Sequence, residues 1–178
     1  MPSKMTQTQA RLAAATLDAL GAVDEVLTPP RGKLTKAQPQ ALHAYATDPS
    51  FEPDETLLGL LDTDERTRGD FQRMLENTAV YYMPRMAAAS SGEISSREAD
   101  GLRIRFRPSR ADGDQIYAIV EVADRDARPE ILFVKHPDGR LDRLELPAFQ
   151  DGRAQLLLER KTPVTKGLMD INAEVYVK

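Results

Sequence analysis

The sequence predicts a segregated α+β fold, an N-terminal helical module followed by a C-terminal antiparallel β-sandwich or small β-barrel. Three observations carry that prediction. Before residue 90, apolar side chains recur at three- and four-residue steps, the spacing of one helical face. After residue 101 the period changes: Leu102-Arg103-Ile104-Arg105-Phe106-Arg107 alternates strictly, as a half-buried strand does. Turn formers such as Asp112-Gly113-Asp114, Pro137-Asp138-Gly139 and Asp151-Gly152 then cut the last third into six or seven short strands.

Composition sets the limits. A chain of 178 residues is one domain or two small ones, and 41% hydrophobic content is enough for a core. There is no cysteine, which excludes disulfides, Cys-ligated zinc, iron–sulfur clusters and thiol nucleophiles. Only His43 and His136 are available for imidazole chemistry. The formal charge of −4 is unevenly spread, with a net of +2 over residues 1–36, −6 over 37–99 and zero over 100–178. No basic footprint for nucleic acid emerges from that balance. The sequence carries no run of about 18 apolar residues, and its first residues lack the apolar region and cleavage site of a secretory signal. The expected compartment is therefore the cytoplasm, without a membrane contact.

Four segments are expected. Residues 1–36 read as an amphipathic helix and linker, with Leu12, Ala19, Val23 and Val26 on one stripe and Thr28-Pro29-Pro30 as the stop. That stripe needs cover, because an isolated helix of this length is marginal in water. It packs on its own module or docks on a partner or a second copy, and the sequence leaves both open. Residues 37–90 read as a helical module. Ala41–Thr47 places Leu42 and Tyr45 inward, and Pro53–Leu61 opens with a first-turn proline and the acidic Asp54 and Glu55. The next helix is expected to be capped by Asp62 with Glu65 three residues on. Its stripe runs through Phe71, Met74, Leu75, Ala79, Tyr82, Met83 and Met86, with a stop or kink near Pro84. The small, polar stretch 91–101 reads as a linker. Residues 102–178 read as the antiparallel β module.

Few residues carry a chemical motif. His43 and His136 lack a nucleophile and partner at local spacing, and no G-x-S-x-G elbow is present. Asp62, Asp64 and Glu65 do not complete a calcium loop, since Arg66 falls on a ligand position. Neither a P-loop nor a G-x-G-x-x-G is found. No catalytic, cofactor or metal residue is assigned. The most distinctive charge feature is Arg103, Arg105 and Arg107 on one strand face, with Arg110 behind them. Such a row suits phosphates or an acidic partner surface. Cross-strand pairing with the carboxylates of the same module is the other reading.

The segment Leu42-His43-Ala44-Tyr45-Ala46-Thr47-Asp48, then Phe51–Leu61 and Asp62–Leu75, resembles the helical N-terminal domain of bacterial anti-sigma factors. The resemblance covers residues 42–75, without the zinc ligands or membrane span found in parts of that family, and it implies a zinc-free regulator. The resulting reading is a non-enzymatic regulatory or interaction protein that binds a protein partner, or itself, through its helical module. The alternative is a small-ligand or enzymatic domain with its site between the modules, using Asp112, Asp114, Asp124 and Asp126.

Overall fold

A computed structural model describes residues 39–86, 94–99 and 101–178. The helix expected over Thr6–Leu27, with the candidate partner face Leu12, Ala19, Val23 and Val26, lies outside the described residues. Within them the chain runs α1 (Pro39–Thr47), α2 (Glu55–Thr63), α3 (Glu65–Thr78), β1 (Tyr81–Met83) and β2 (Ser96–Ala99). It continues through β3 (Leu102–Pro108), β4 (Gln115–Val122), β5 (Ile131–Lys135), β6 (Leu141–Glu145), β7 (Arg153–Glu159), α4 (Pro163–Met169) and β8 (Glu174–Val177). The α+β content matches the expectation. Of the two β architectures expected, the sandwich is found: among the described residues the strands make two open antiparallel sheets and no closed barrel. Sheet A has the order β1-β8-β5-β6 and sheet B the order β2-β3-β4-β7.

The layering follows from side-chain alternation. In sheet A, Leu132, Val134, Val175 and Val177 join Leu102, Ile104, Ile116, Val120 and Ala154 of sheet B in one core. Their neighbours Ile131, Phe133 and Tyr176 point the other way and meet Leu42, Tyr45, Leu57, Phe71 and Leu75 of the helices. Sheet A is thus covered on both faces. That is why Ile131-Leu132-Phe133-Val134 reads as an unbroken apolar run, each residue of it buried.

The separation into a helical and a β module is corrected by this arrangement. The described helices and both sheets lie in one compact unit, Lys36–Lys178. The physical reason is that helices of nine to fourteen residues need a surface to cover their apolar stripes, and the outer face of sheet A supplies it. Three local corrections accompany it. The cap of α3 is Asp64, not Asp62: its side chain accepts from the Thr67 amide, and its extended backbone separates α2 from α3. Tyr82 and Met83 do not continue the α3 stripe, because the helix ends at Thr78 and the chain extends into β1 against β8. Part of the expected linker is strand β2, paired with β3 from Ser96↔Arg105 to Ala99↔Leu102.

Two polar nodes tie the layers. Arg97 on β2 is 1% exposed. Its guanidinium donates to Ala173 O at 2.6 Å, to Leu168 O and Asp170 O at 3.3 Å, and to Pro84 O at 3.5 Å. Two of these carbonyls lie at the C-terminal end of α4, where the helix dipole favours a cation. Burial pulls the guanidinium below its ordinary pKa, and the charge of Asp170 opposes that pull.

The second node is Glu174 on β8. It receives Arg85 Nε at 3.0 Å, Lys135 Nζ at 3.2 Å and the Tyr176 hydroxyl at 2.9 Å. Burial alone would raise its carboxyl, but the bonds from Tyr176 and Lys135, with the charges of Lys135 and Arg85, hold it below the usual value. Burial, and then the bond to Glu174, push the Tyr176 phenol far up. A lowered carboxyl contributes stability above its unfolded-state pKa of about 4.3 and loses it as pH falls through the lower folded value. The stability gap between the wild type and Glu174→Gln will therefore narrow in urea titrations taken below about pH 4. A gap that stays constant with pH would show that this carboxylate is not held ionised by the fold.

Candidate functional site

The candidate site is a groove along the free edge of β6. One wall is helical, with Tyr45 of α1 and Leu58 of α2. The floor is Leu141, Asp142 and Arg143, and the far wall is Pro163 and Val164 in the first turn of α4. Its volume is about 360 Å³. Leu58 is 44% exposed although Leu57, Leu60 and Leu61 around it are buried, so α2 presents one large apolar side chain to solvent.

Local rules build each wall. Asp54 caps α2, its carboxylate accepting from the Leu57 amide at 2.7 Å. Arg143 holds the helices against the sheet. It donates to the carbonyls of Asp48, Pro49 and Phe51 at 2.8, 3.1 and 3.0 Å, and stands 5.1 Å from the centre of the Tyr45 ring. On the far wall, Thr162 caps α4 and Pro163 follows it in the first turn.

The backbone of the floor is directional. His136 N donates to Arg140 O and Leu146 N to Glu130 O, which bracket the β5–β6 ladder. By antiparallel alternation the amides and carbonyls of Asp142 and Leu144 face β5, and those of Leu141, Arg143 and Glu145 face outward. The groove therefore offers a row of backbone donors and acceptors beside an apolar wall.

One imidazole borders the groove. His136 Nε2 lies 2.7 Å from Asp142 Oδ2, with the ring buried beneath α4. Gly167 lies against this ring, where a Cβ would come within 2.5 Å of Cε1 and 2.7 Å of Val134 Cγ1. Only glycine fits that approach. The pair is thus packed in place, and it fixes the orientation of Asp142 at the groove floor.

The other candidate residues disperse. Arg103 forks onto Glu98 with both bonds at 2.9 Å, and Arg105 reaches Glu121 at 2.7 Å, a carboxylate also held by Arg153 at 2.6 Å. Burial raises the Glu121 carboxyl, and these two arginines more than offset it. Cross-strand pairing therefore occupies half of the arginine row, while Arg107 and Arg110 have no carboxylate partner among the described residues. Asp112 and Asp124 accept the amides of Asp114 and Asp126 at 2.9 Å, in turns at opposite ends of β4. That strand is eight residues, roughly 25 Å, so the four carboxylates do not converge. His43 is exposed on α1.

Compared with known protein families, with curated proteins and with solved structures, the chain matches none.

A second concavity, about 790 Å³, lies at the far end of sheet B. Glu121, Arg125, Gln150, Arg153 and Gln155 give it a polar lining. Among the described residues no three His, Asp or Glu side chains are placed to hold a metal ion, and no helix is long and apolar enough to cross a membrane. The sequence reading missed the groove because its parts come from four distant segments. The signals available were Thr162-Pro163, a cap followed by an N1 proline, and Leu58, which falls off the inward stripe of α2.

Proposed function

We propose that this chain is a non-enzymatic interaction protein that receives an extended segment of a protein partner in the β6 groove. The observation that carries this reading is the exposed Leu58 standing across an open strand edge from Pro163 and Val164. Strand addition takes its affinity from main-chain hydrogen bonds and its selectivity from a pocket for one side chain, and the groove has both elements. The inward faces of α1 to α3 are spent on sheet A, so the helical contribution comes from the outer side of α2. The resemblance of residues 42–75 to anti-sigma helical domains makes a sigma factor the first partner to try.

A photo-crosslinking amino acid placed at position 58 in the producing cell tests the reading. It is expected to give a discrete adduct that a probe at the exposed Arg73 does not, and Val164→Glu on the opposite wall should remove it. No adduct beyond that from position 73, or one indifferent to Val164→Glu, would sink the proposal.

A further inference from the structure

The edge strand β7 presents a second strand edge, distinct from the groove. Val122 N donates to Gly152 O and Arg160 N to Asp114 O, bracketing the β4–β7 ladder. By alternation, Ala154, Leu156 and Leu158 spend their backbone groups on β4, while Arg153, Gln155, Leu157 and Glu159 turn theirs outward. Arg153 is satisfied by Gln150 across the Asp151-Gly152 turn, where both residues have positive φ. The hairpin that would cover the rest of the edge stops there. Phe149 turns into the sandwich core and Pro147 has no amide hydrogen to give. Among the described residues the amides of Gln155, Leu157 and Glu159 face no strand, while the Glu159 carbonyl accepts the Thr162 amide and hydroxyl at 3.3 and 3.0 Å.

Among the described residues the middle of this edge, Ala154–Leu158, has little of the usual protection. Sheet edges are blunted by lysine, proline, bulges or brevity, whereas β7 is seven residues long with the uncharged run Ala154-Gln155-Leu156-Leu157-Leu158. Leu157 is 50% exposed on the outer face of sheet B, in register with Tyr117 and, beyond it, Arg107.

We propose that β7 pairs with β7 of a second copy of this chain, antiparallel about a two-fold axis at Leu157. The outward backbone groups of Gln155 and Leu157 and the Glu159 amide suit an extended strand, and β7 matches itself. With that centre Leu157 faces Leu157, Leu156 faces Leu158, and the Gln155 amide faces the Glu159 carboxylate twice over. Directly opposed like charges are destabilising, and none occurs over 155–159. Just outside, Arg153 comes to face Lys161, each with its own carboxylate, Glu121 at 2.6 Å and Asp114 at 3.0 Å, and Arg160 faces Ala154. Gln150, seated opposite Arg153, ends the ladder at Gln155 and so excludes longer registers. The interface is isologous, and two sheets B become one continuous eight-stranded sheet.

Sedimentation of the full chain is expected to give twice the 19.8 kDa chain mass at high micromolar concentration. Leu157→Pro should return it to the monomer with its circular dichroism unchanged, because the amide lost is one that β4 does not use. A second variant avoids dependence on the proline. The chain has no cysteine, and hydrogen-bonded antiparallel partners have Cα atoms about 5.5 Å apart, within reach of a disulfide. Leu157→Cys should therefore oxidise to a covalent dimer far faster than Arg107→Cys on the same face. A monomeric wild type, a dimer that persists in Leu157→Pro, or equal cross-linking at 157 and 107 would each overturn the proposal.

Discussion

Replacing Arg97 by methionine will lower the unfolding free energy by about 3 kcal/mol, read as a fall in the urea midpoint at constant slope. Methionine keeps much of the buried volume, so the loss comes from the carbonyls left without a donor. Pro84 O, Leu168 O and Ala173 O lose the guanidinium donor, while Asp170 O keeps the Ala173 amide at 3.2 Å, and buried acceptors without donors cost about 1–3 kcal/mol each, offset by relief of the guanidinium's own desolvation. Arg97→Lys should recover only part of the loss, since one ammonium has no planar fork to spread over four oxygens. A loss below about 1 kcal/mol for the methionine variant would mean that the carbonyls find water, and that β2 is not fastened through this side chain.

Phe71→Ala is the second large effect, expected at about 3–5 kcal/mol. The ring is fully buried, its centroid 5.5 Å from both Tyr45 and Phe133, and it joins α1, α3 and β5 at one point. Truncation removes the edge-on contact with Phe133 and the tilted contact with Tyr45, each aromatic pair being worth about 0.5–1.5 kcal/mol beyond its area. Arg73→Ala, exposed two residues along the same helix, should shift stability by no more than about 0.5 kcal/mol. If the two variants unfold alike, the helices do not depend on sheet A for their stability.

How much of this was readable in advance varied with the kind of signal. The strands from Leu102 to Val177 follow alternation punctuated by Gly, Pro and Asp turns, and local chemistry sets both. Strand β1 was hidden because Ala79, Tyr82, Met83 and Met86 happen to extend the α3 spacing. What ends the helix is tertiary, the pairing of Tyr81–Met83 with Val175–Val177. Strand β2 was hidden by composition, since Ser96-Arg97-Glu98-Ala99 looks solvated. The burial of Arg97 depends on carbonyls 71 to 76 residues later in the chain. The single compact unit was invisible for a similar reason: periodicity tells which face is apolar, not what covers it. For the candidate site, the arginine row was legible but the partners of Arg103 and Arg105 were not, and the groove required knowing which strands end up at an edge.

Strand β8 is the last element in chain order, yet it lies inside sheet A, between β1 and β5. Tyr176 fills the helical core, while Val175 and Val177 fill the sandwich core. During vectorial synthesis neither core can close before these four residues have left the ribosome, although α1 to α3 emerge about a hundred residues earlier. The nascent chain must hold its helical apolar surface open for that interval, and a contact order dominated by such distant pairings also slows folding once β8 has been made. Closure of both cores thus waits on β8, and the exposure of the helices to chaperones is set by the time needed to make it.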